Sequence, residues 1–380
     1  MPHPAWVGIY IREKQGGKHP ERRRSIIMKK KLFAAAMAGT MVLSLAACGG
    51  SKPAETTAAP AADKTEAAAE SKAEGESTEA AAESGSTWEP NGTVSIIVPA
   101  GAGGDTDLTA RIFAQYAKEK TGVDFVVVNA SGASGSVAAN QVMNSAPDGQ
   151  TVLYGHCLLS VANIAGITDY NFEAFKLGPN FAKNPAQQFY VNSEKYKNLD
   201  EFIAAAKAAP GQLKACTEVG AYTYYELLAF EKAADIDLDL VDAGSASDKI
   251  AAMLSGQVDL MPGTWMLNKD YVTAGQFVCL GAPTDQKYDM LENAGVKTFA
   301  DQGIDLAFPD TDYSFYFPKE TPDEVITYFD DLCKELLDDE TVSKALTDMD
   351  VIPYYLNHED AFKNDTETYN TIKAIADTLK

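Results

Sequence analysis

Residues 94–107 read VSIIVPAGAGGDTD, an apolar pentapeptide followed by a proline and a glycine-rich turn. The run Val94–Val98 has the length and β-branched composition of a buried strand, and Pro99 ends it. Beyond the turn, apolar side chains recur at helical spacing from Leu108 to Ala117. This stretch therefore predicts a strand, a tight connection and an amphipathic helix.

The same alternation of strands and helices continues along the chain in two series. In the first, strands at Phe125–Val128 and Thr151–Gly155 flank a short helix at Val137–Met143. The resulting β-α-β-α-β order implies a parallel sheet with right-handed crossovers. The second series comprises helices at Leu199–Ala209, Thr223–Ala234 and Ser247–Leu254, and strands at Gln212–Cys216, Leu238–Val241, Val258–Met261 and Phe277–Leu280.

The C-terminal part, residues 321–380, is predicted to be mainly helical. We expect Thr321 to be an N-cap, with Pro322 at the first helical position and Glu324 three residues after the cap. Asn357 is expected to cap a final helix. Extended stretches near residues 190 and 311 separate the two series, which predicts two lobes joined by two chain crossings. The first lobe would comprise residues 88–190 and 312–380, and the second residues 191–311.

The N-terminal region carries the pattern of an exported lipoprotein. Residues 29–31 are three lysines, and Leu32–Ser44 is an apolar run too short to span a bilayer comfortably. Leu45-Ala46-Ala47-Cys48 resembles the lipobox of bacterial lipoproteins, so residues 28–47 are predicted to be a signal peptide and Cys48 the lipidated N-terminus. A short transmembrane helix or an ordinary signal peptide is the alternative. Residues 1–27 are interpreted as upstream sequence translated from a misplaced start.

The segment after Cys48 has the composition of a tether. Residues 49–87 contain no aromatic residue and no Leu, Ile, Val or Met, so they cannot bury a core. A flexible coil of this length spans roughly 35 Å. We therefore expect residues 48–87 to hold the folded part away from a membrane surface.

The charge of the chain limits its partners. The net charge is −22, and beyond Cys48 the chain has 23 basic and 52 acidic residues. Such a surface repels nucleic acid and anionic lipid, so we expect no nucleic-acid partner. An anionic solute would need a local site that overcomes the overall field.

Two glycine-rich turns are suited to form such a site, at residues 99–107 and 129–136. Each connects a predicted strand to a predicted helix at the carboxyl edge of a parallel sheet, where ligands of open α/β sheets bind. Glycines allow backbone amides to converge, and the following helix adds unpaired N–H donors and the positive end of its dipole. The turns therefore indicate an anion site without Arg or Lys, the alternative being that they are only tight connections.

The order and spacing of several short motifs resemble the receptors of tripartite tricarboxylate transporters, the TctC or Bug family. The resemblance extends from about residue 91 to residue 380. The motifs are Pro99, Gly103, Gly104 and Asp107 followed by Ala110-Arg111; Asn129, Gly132-Ala133 and Gly135; Pro147-Asp148-Gly149; Ala208-Ala209-Pro210-Gly211-Gln212-Leu213; and Leu254-Ser255-Gly256-Gln257-Val258-Asp259.

The resemblance implies a two-lobed α/β fold of the type II periplasmic-binding-protein kind, whose lobes close on a small carboxylate by hinge motion. It implies a monomeric extracytoplasmic receptor, anchored by its lipid, that delivers the solute to the permease of a tripartite tricarboxylate transporter. It also implies a carboxylate clamp of first-lobe amides. The clamp residues are Gly103, Gly104, Asp105, Thr106, Gly132, Ala133, Ser134 and Gly135, with Asp105 and Asp107 also interpreted as caps and first-turn partners of the helix.

The second lobe departs from the family pattern. The usual Gly-Ser-x-x-His-Leu is replaced by residues 220–225 (GAYTYY), and the usual Tyr-x-Gly turn appears at residues 242–245 (DAGS). Asp242, if it enters the cleft, would favour a solute with an amine or a hydroxyl. The candidates for solute contacts are Tyr222, Thr223, Ser245 and Thr264, and His156 at the end of the third strand, each with a purely structural role as the alternative.

The sequence contains no catalytic constellation. It has neither a Gly-x-Ser-x-Gly elbow nor a P-loop, and Thr106 stands where a dinucleotide fingerprint needs its third glycine. We therefore expect no enzyme activity, no cofactor and no metal. The alternative functions are a receptor for an ABC importer, a sensory receptor and, more remotely, a secreted α/β hydrolase. Four cysteines after Cys48 are expected to be buried free thiols, although an exported protein allows a disulfide: Cys157, Cys216, Cys279 and Cys333.

Overall fold

The computed structural model describes residues 87–218 and 220–378. The predicted upstream segment, the signal peptide, Cys48 and all of the tether before Thr87 lie outside the described residues. None of the helices described has the length and apolar character needed to cross a membrane.

Eleven strands, β1 to β11, form in the described part of the chain. Six of them make one large sheet, and the other five make two small sheets of three and two strands. In chain order they span Val94–Val98, Phe125–Asn129, Thr151–Gly155, Phe175–Asn184, Gln188–Asn192, Lys214–Thr217, Asp239–Asp242, Met261–Gly263, Phe277–Gly281, Thr311–Pro318 and Ile352–Leu356.

Eleven α-helices, α1 to α11, connect and cover these strands within the same residues. The longest is the C-terminal helix, whose Asn357 cap accepts a hydrogen bond from the Asp360 amide, as the sequence predicted. In chain order the helices span Asp105–Thr121, Ser136–Met143, Leu158–Ile164, Leu199–Ala208, Tyr222–Ala234, Ala246–Leu254, Trp265–Thr273, Asp289–Asn293, Asp323–Leu337, Glu340–Thr347 and His358–Asp377.

The large sheet has the strand order β11-β4-β10-β3-β1-β2. Its strand β1 pairs in parallel with both β2 and β3, which confirms the predicted β-α-β-α-β unit. The sheet as a whole is mixed, because β10 lies antiparallel between β3 and β4. The carboxyl ends of β1, β2 and β3 thus meet at one edge, where the two glycine-rich turns begin.

The second lobe contains the antiparallel sheet β8-β5-β9 and the parallel pair β6-β7. A single parallel bridge between Ala215 and Leu260 joins the two sheets. The strand predicted at Val258–Met261 is therefore misplaced. Residues 258–260 cross from one sheet to the other, held by hydrogen bonds from the Asp259 and Leu260 amides to the Lys214 carbonyl, and β8 begins only at Met261.

The chain changes lobe twice. It passes from the large sheet to the small one between Asn184 and Gln188, and it returns between Phe308 and Thr311, close to the stretches predicted at residues 190 and 311. The two crossing segments are tied together, because the Ala186 amide donates to Asp310 Oδ1 at 3.0 Å. They form the only chain connections between the two sheets in the described residues.

Each lobe has an aromatic core. In the first, the Phe113 ring lies 4.7 Å from Phe315 and 5.2 Å from Phe181, between α1 and the large sheet. In the second, Phe230 lies 5.0 Å from Phe189 and 5.1 Å from Phe299. The observed architecture is therefore the two-lobed α/β fold that the sequence predicted.

The predicted start of α9 is wrong by one residue. The helix begins at Asp323, and Pro322 is the N-cap, with an extended ψ of 150° and no side-chain hydrogen bond to the helix. Thr321, the predicted cap, is 1% exposed, and its hydroxyl has no partner among the described residues. Its amide donates to the Pro318 carbonyl, and its side chain does not cap the helix.

Candidate functional site

A cleft of about 360 Å³ lies between the two lobes. Its walls combine the turns after β1, β2 and β3 with the starts of α5, α6 and α7. The structure brings together at this cleft ten of the residues predicted as solute contacts: Asp105, Thr106, Gly132, Ser134, Gly135, His156, Tyr222, Thr223, Ser245 and Thr264.

Helix α1 presents its N-terminus to the cleft. Its N-cap is Gly104, which has no side chain with which to bond the first amides, and Asp105 and Thr106 line the cleft directly after it. The first amides of a helix have no carbonyl partner within the helix, so this end offers free N–H donors and a positive dipole end. The arrangement suits a carboxylate oxygen.

Gly103, Gly104 and Ala133 do not line the cleft, although they were predicted as clamp residues. The Gly103 amide donates to Asp107 Oδ2 at 2.8 Å, and the Gly104 amide donates to the Gly101 carbonyl at 3.3 Å. Both amides are therefore occupied in shaping the turn. Their contribution is to direct the following helix at the cleft.

The turn after β2 has an unusual backbone. The residues from Gly132 to Gly135 all have positive φ, with values of 126°, 47°, 50° and 87°. Side chains disfavour this region, so Ala133 and Ser134 are held there against their preference. The result is a tight 3₁₀ turn at the edge of the cleft, and backbone strain of this kind is common at ligand sites.

Asp107 is the anchor of the first turn, as the sequence predicted. It accepts hydrogen bonds from the Gly103 amide, from Arg111 at 2.9 and 3.0 Å, and from Asn129 at 2.9 Å. Burial raises the pKa of this carboxyl, but the hydrogen bonds from Arg111, Gly103 and Asn129 outweigh it, and the net pKa lies below its usual value. Asp107 therefore stays ionised and joins the two glycine-rich turns.

His156 lies at the cleft with its ring edge-on to two aromatic rings, Tyr222 at 5.9 Å and Tyr313 at 6.0 Å. Burial lowers the pKa of this imidazole, and the nearby Asp105 opposes the shift only partly. The ring is therefore neutral at pH 7. It can accept or donate a hydrogen bond to a solute but does not supply a positive charge.

The candidates in the second lobe differ in what their hydroxyl groups already bind. The Tyr222 hydroxyl donates to the Pro309 carbonyl in a crossing segment, and the Thr223 hydroxyl lies 2.7 Å from that of Thr217. The Ser245 hydroxyl belongs to the capping box of α6 and donates to Asp248 at 2.6 Å. The Thr264 hydroxyl is buried without a partner among the described residues. Thr264 is thus the candidate whose hydroxyl is best placed to take a solute atom.

Outside the two glycine-rich turns, sequence reasoning missed four polar residues that line the cleft, Gln187, Glu218, Lys249 and Asn268. It left Asp242 conditional on its entering the cleft, which it does. Glu218 directly follows β6, at the carboxyl end of a parallel strand, so the rule that found the first-lobe turns applied to it as well. Lys249 and Asn268 lie inside helices, where no local signal distinguishes a cleft residue from a surface residue.

The lobes touch across the cleft at Glu218. Its Oε1 accepts a hydrogen bond from the Ser134 amide at 3.3 Å, so a second-lobe carboxylate reaches the first-lobe turn. A separate ion pair joins Lys269 of α7 to Asp350, before β11, at 2.6 Å. The described chain is therefore in a form whose lobes are in contact.

Within the described residues, no group of three or more His, Cys, Asp or Glu side chains is arranged to hold a metal ion. Cys157, Cys216, Cys279 and Cys333 are free thiols, and all except Cys279 are fully buried, as the sequence suggested. Burial raises the pKa of all four thiols, which keeps them protonated and unreactive.

Comparison with known proteins gives a consistent result. A family model described as the tripartite tricarboxylate transporter family receptor matches residues 109–380. A Cupriavidus necator protein, described as the UPF0065 protein in the gbd 5' region, is 26% identical over 298 residues, which cover 76% of this chain and 88% of that protein.

Two solved structures share the fold. MatC from Rhodopseudomonas palustris with bound malate has a TM-score of 0.68 at 20% identity, over 76% of this chain and 100% of that chain. An R. palustris protein with adipate has a TM-score of 0.70 at 21% identity, over 76% of this chain and 97% of that chain. At these identities the likeness is evidence for the fold alone.

Proposed function

Because this chain belongs to the family of tripartite tricarboxylate transporter receptors, we propose that it captures a small carboxylate outside the cytoplasm, in the cleft between its lobes. The family consists of solute receptors and not of enzymes. One observation carries the proposal for the carboxylate. Two adjacent strand-to-helix turns border the same cleft, the first through Asp105 and Thr106 and the second through Gly132, Ser134 and Gly135.

The amide arrangement is sufficient in energy for a transport receptor. Each hydrogen bond from an amide to a charged oxygen contributes about 1.5–3 kcal/mol, and the helix dipole adds about 0.3–2 kcal/mol. An affinity near 1 µM corresponds to about 8 kcal/mol. Several such bonds therefore support micromolar binding without a buried basic side chain.

The relatives with bound ligands favour the same class of solute. Malate and adipate, which occupy the two R. palustris proteins, are both small dicarboxylates. The turns that border the cleft in this chain follow β1 and β2, at the sheet edge where open α/β sheets bind ligands. We therefore expect at least one solute carboxylate to bind at these turns.

We further propose that the receptor delivers its solute to the permease of a tripartite tricarboxylate transporter and that a lipid on Cys48 anchors it to the membrane. The lipobox pattern before Cys48 and the apolar-poor segment after it support the anchor. In a host that processes lipoproteins, the wild-type chain should incorporate labelled palmitate and the Cys48→Ala variant should not. Absence of label from the wild type, or equal label in the variant, would refute lipid anchoring at Cys48.

The solute proposal is tested by calorimetry and thermal denaturation of the full chain in detergent. The panel contains dicarboxylates, tricarboxylates, aromatic acids and amino acids, each paired with the amide in which the carboxylates are blocked. We expect a micromolar ligand among the acids and at least about a tenfold loss for its amide, because the amide cannot accept charge-assisted hydrogen bonds. Stabilisation by neutral sugars or cations, with none by carboxylates, would overturn the proposal.

A further inference from the structure

The second-lobe wall of the cleft is rich in oxygen atoms that accept hydrogen bonds. The carboxylates of Glu218 and Asp242 line it, together with Asn268 and Thr264, which are 1% and 3% exposed. The Asn268 amide has a fixed orientation, because its Nδ2 donates to the Thr264 carbonyl at 2.8 Å. Its Oδ1 and the Thr264 hydroxyl have no partner among the described residues, and such atoms are costly to bury unpaired.

The charges that line the cleft do not balance. Asp105, Glu218 and Asp242 contribute three carboxylates, and Lys249 is the only Lys or Arg among the described lining residues. The Lys249 ammonium donates to the Thr223 hydroxyl at 3.3 Å. Lys249 offsets one of the three carboxylates, and His156 is neutral. The lining therefore has a net charge of −2. A solute that is only an anion enters this cleft against repulsion.

The Glu218 carboxylate extends this repulsion to the clamp, because it contacts Ser134 in the second glycine-rich turn. Glu218 Oε1 lies 3.3 Å from the Ser134 amide, in the turn where we propose that the solute carboxylate binds. A solute carboxylate at that turn would lie beside the Glu218 carboxylate. Two like charges at close range in a partly dehydrated site oppose each other strongly, whereas a cation between them is attracted to both.

We propose that the solute is an amino acid whose ammonium group is bound by Glu218, so that Glu218 is the residue that selects amino-bearing carboxylates. Asp242 and Asn268 Oδ1 supply further acceptors on the same wall. In an amino acid the carboxylate accepts hydrogen bonds from the clamp amides. The neighbouring ammonium, with three N–H donors and one positive charge, binds Glu218. The inference rests on the proposed function, because it takes the amide clamp as the carboxylate site.

The test compares amino acids with the same acids lacking the amino group, by calorimetric titration of the full chain in detergent. The pairs are aspartate with succinate, glutamate with glutarate, alanine with propionate, and phenylalanine with 3-phenylpropionate, so that solute size is matched within each pair. We expect the amino member of the best pair to bind at least about tenfold more tightly, as for a hydrogen-bonded charge pair.

Two variants test whether Glu218 causes the preference for the amino member of each pair. Glu218→Gln keeps the size of the side chain and removes its charge, and we expect it to reduce the preference for the amino member by about tenfold or more. Glu194→Gln makes the same change at an exposed second-lobe position outside the cleft lining, and the preference should be unchanged. Melting curves without solute verify that both variants fold.

The outcomes separate this inference from the proposed function. If the acid without an amino group binds as tightly as its partner, or if Glu218→Gln leaves the preference intact, the role of Glu218 is refuted while carboxylate binding stands. If no acid of either kind binds, the proposed function itself fails and the inference fails with it.

Discussion

Gly135 shows at the scale of one residue why the clamp turn has its sequence. A Cβ at this position would lie 2.2 Å from Cδ1 of Leu158. Leu158 also fills the space beside Gly155, where a Cβ would lie 2.5 Å from its Cδ2. Gly135 also has a φ of +87°, which side chains disfavour. Two independent constraints therefore require glycine at this end of the turn.

We predict that Gly135→Ala lowers both stability and solute affinity. The positive φ alone costs about 1–2 kcal/mol, and displacement of Leu158 adds to that cost and shifts the turn that borders the cleft. Gly256→Ala is the matched control, since Gly256 has a φ of +70° and no atom within 4 Å of its Cβ position. Chemical denaturation and solute titration should show a larger loss for Gly135→Ala, and equal losses of stability with unchanged affinity would contradict the account.

Sequence reasoning identified those features of the site that depend on a few neighbouring residues, and it missed the contacts that depend on the folded backbone. Glycine-rich turns were found because their composition is local, and Asp107 was identified as a first-turn partner for the same reason. The engagement of the Gly103 amide by Asp107, and of the Tyr222 hydroxyl by Pro309, depends on backbone geometry that composition does not reveal. The contact of Glu218 with Ser134 joins residues 84 positions apart and forms only when the two lobes meet.

At the scale of elements, the sequence predicted the helices and strands whose apolar residues recur at regular spacing or whose ends are marked by Gly or Pro. The strands β1 to β3 alternate with amphipathic helices, and Gly or Pro ends several of them. The sequence did not predict β4, β5, β10 and β11 as strands. All eight residues of β10 are buried, so it has no polar face to produce an alternating pattern, and it contains five aromatic or proline residues that fit several states.

The sequence also did not predict helix α7, because its residues show no clear apolar stripe. Trp265–Thr273 mixes apolar and polar residues without a clear stripe, and only Asn268 is fully buried in it. Its apolar contacts are divided, since Met266 packs on the first-lobe core while Trp265 and Tyr271 pack in the second lobe. A helix that bridges two lobes buries two faces partly, which weakens the periodic signal that sequence analysis detects.

At the scale of the whole molecule, an unusually acidic chain buries several of its carboxyl groups. Burial raises the pKa of Asp310 to about 6, of Asp365 to about 7 and of Glu231 to about 7, and it raises that of Glu226 well above its usual value. Asp310 lies in a crossing segment beside Lys183, Asp312 and Tyr288. The folded protein therefore holds several protons more tightly than the unfolded chain does.

We predict that the folded state is more stable near pH 5 than at pH 8. A carboxyl with a raised pKa in the folded state stabilises the fold below its unfolded pKa, near 4, and this contribution is lost as the pH rises through about 6–7. Asp107 has a lowered pKa and acts in the opposite sense, losing its contribution only as the pH falls through its low folded value. Melting temperatures measured from pH 4 to pH 9 should decline mainly between about pH 4 and pH 7, where the unfolded chain has released protons that the folded protein still holds.

Asp365 provides the matched variant for this pH dependence. It is 2% exposed and accepts a hydrogen bond from the Tyr316 hydroxyl at 2.8 Å, which an asparagine also accepts. Asp365→Asn should gain stability relative to the wild type between pH 5 and pH 8, on the order of 2–4 kcal/mol. Asp301→Asn, at an exposed position, should run parallel to the wild type. A parallel curve for Asp365→Asn would show that its burial does not set the pH dependence.

The C-terminal helix α11 packs against both lobes, which affects how the receptor can be labelled. Its residue Ala361 packs with first-lobe side chains, whereas Ile372 and Ala376 pack in the cluster that contains Phe189 and Phe230 of the second lobe. The helix thus packs against both lobes across the region where they join. A purification tag or fluorescent reporter attached to this helix would disturb its packing and bias the opening of the receptor, so labels for binding or motion studies belong on another part of the surface.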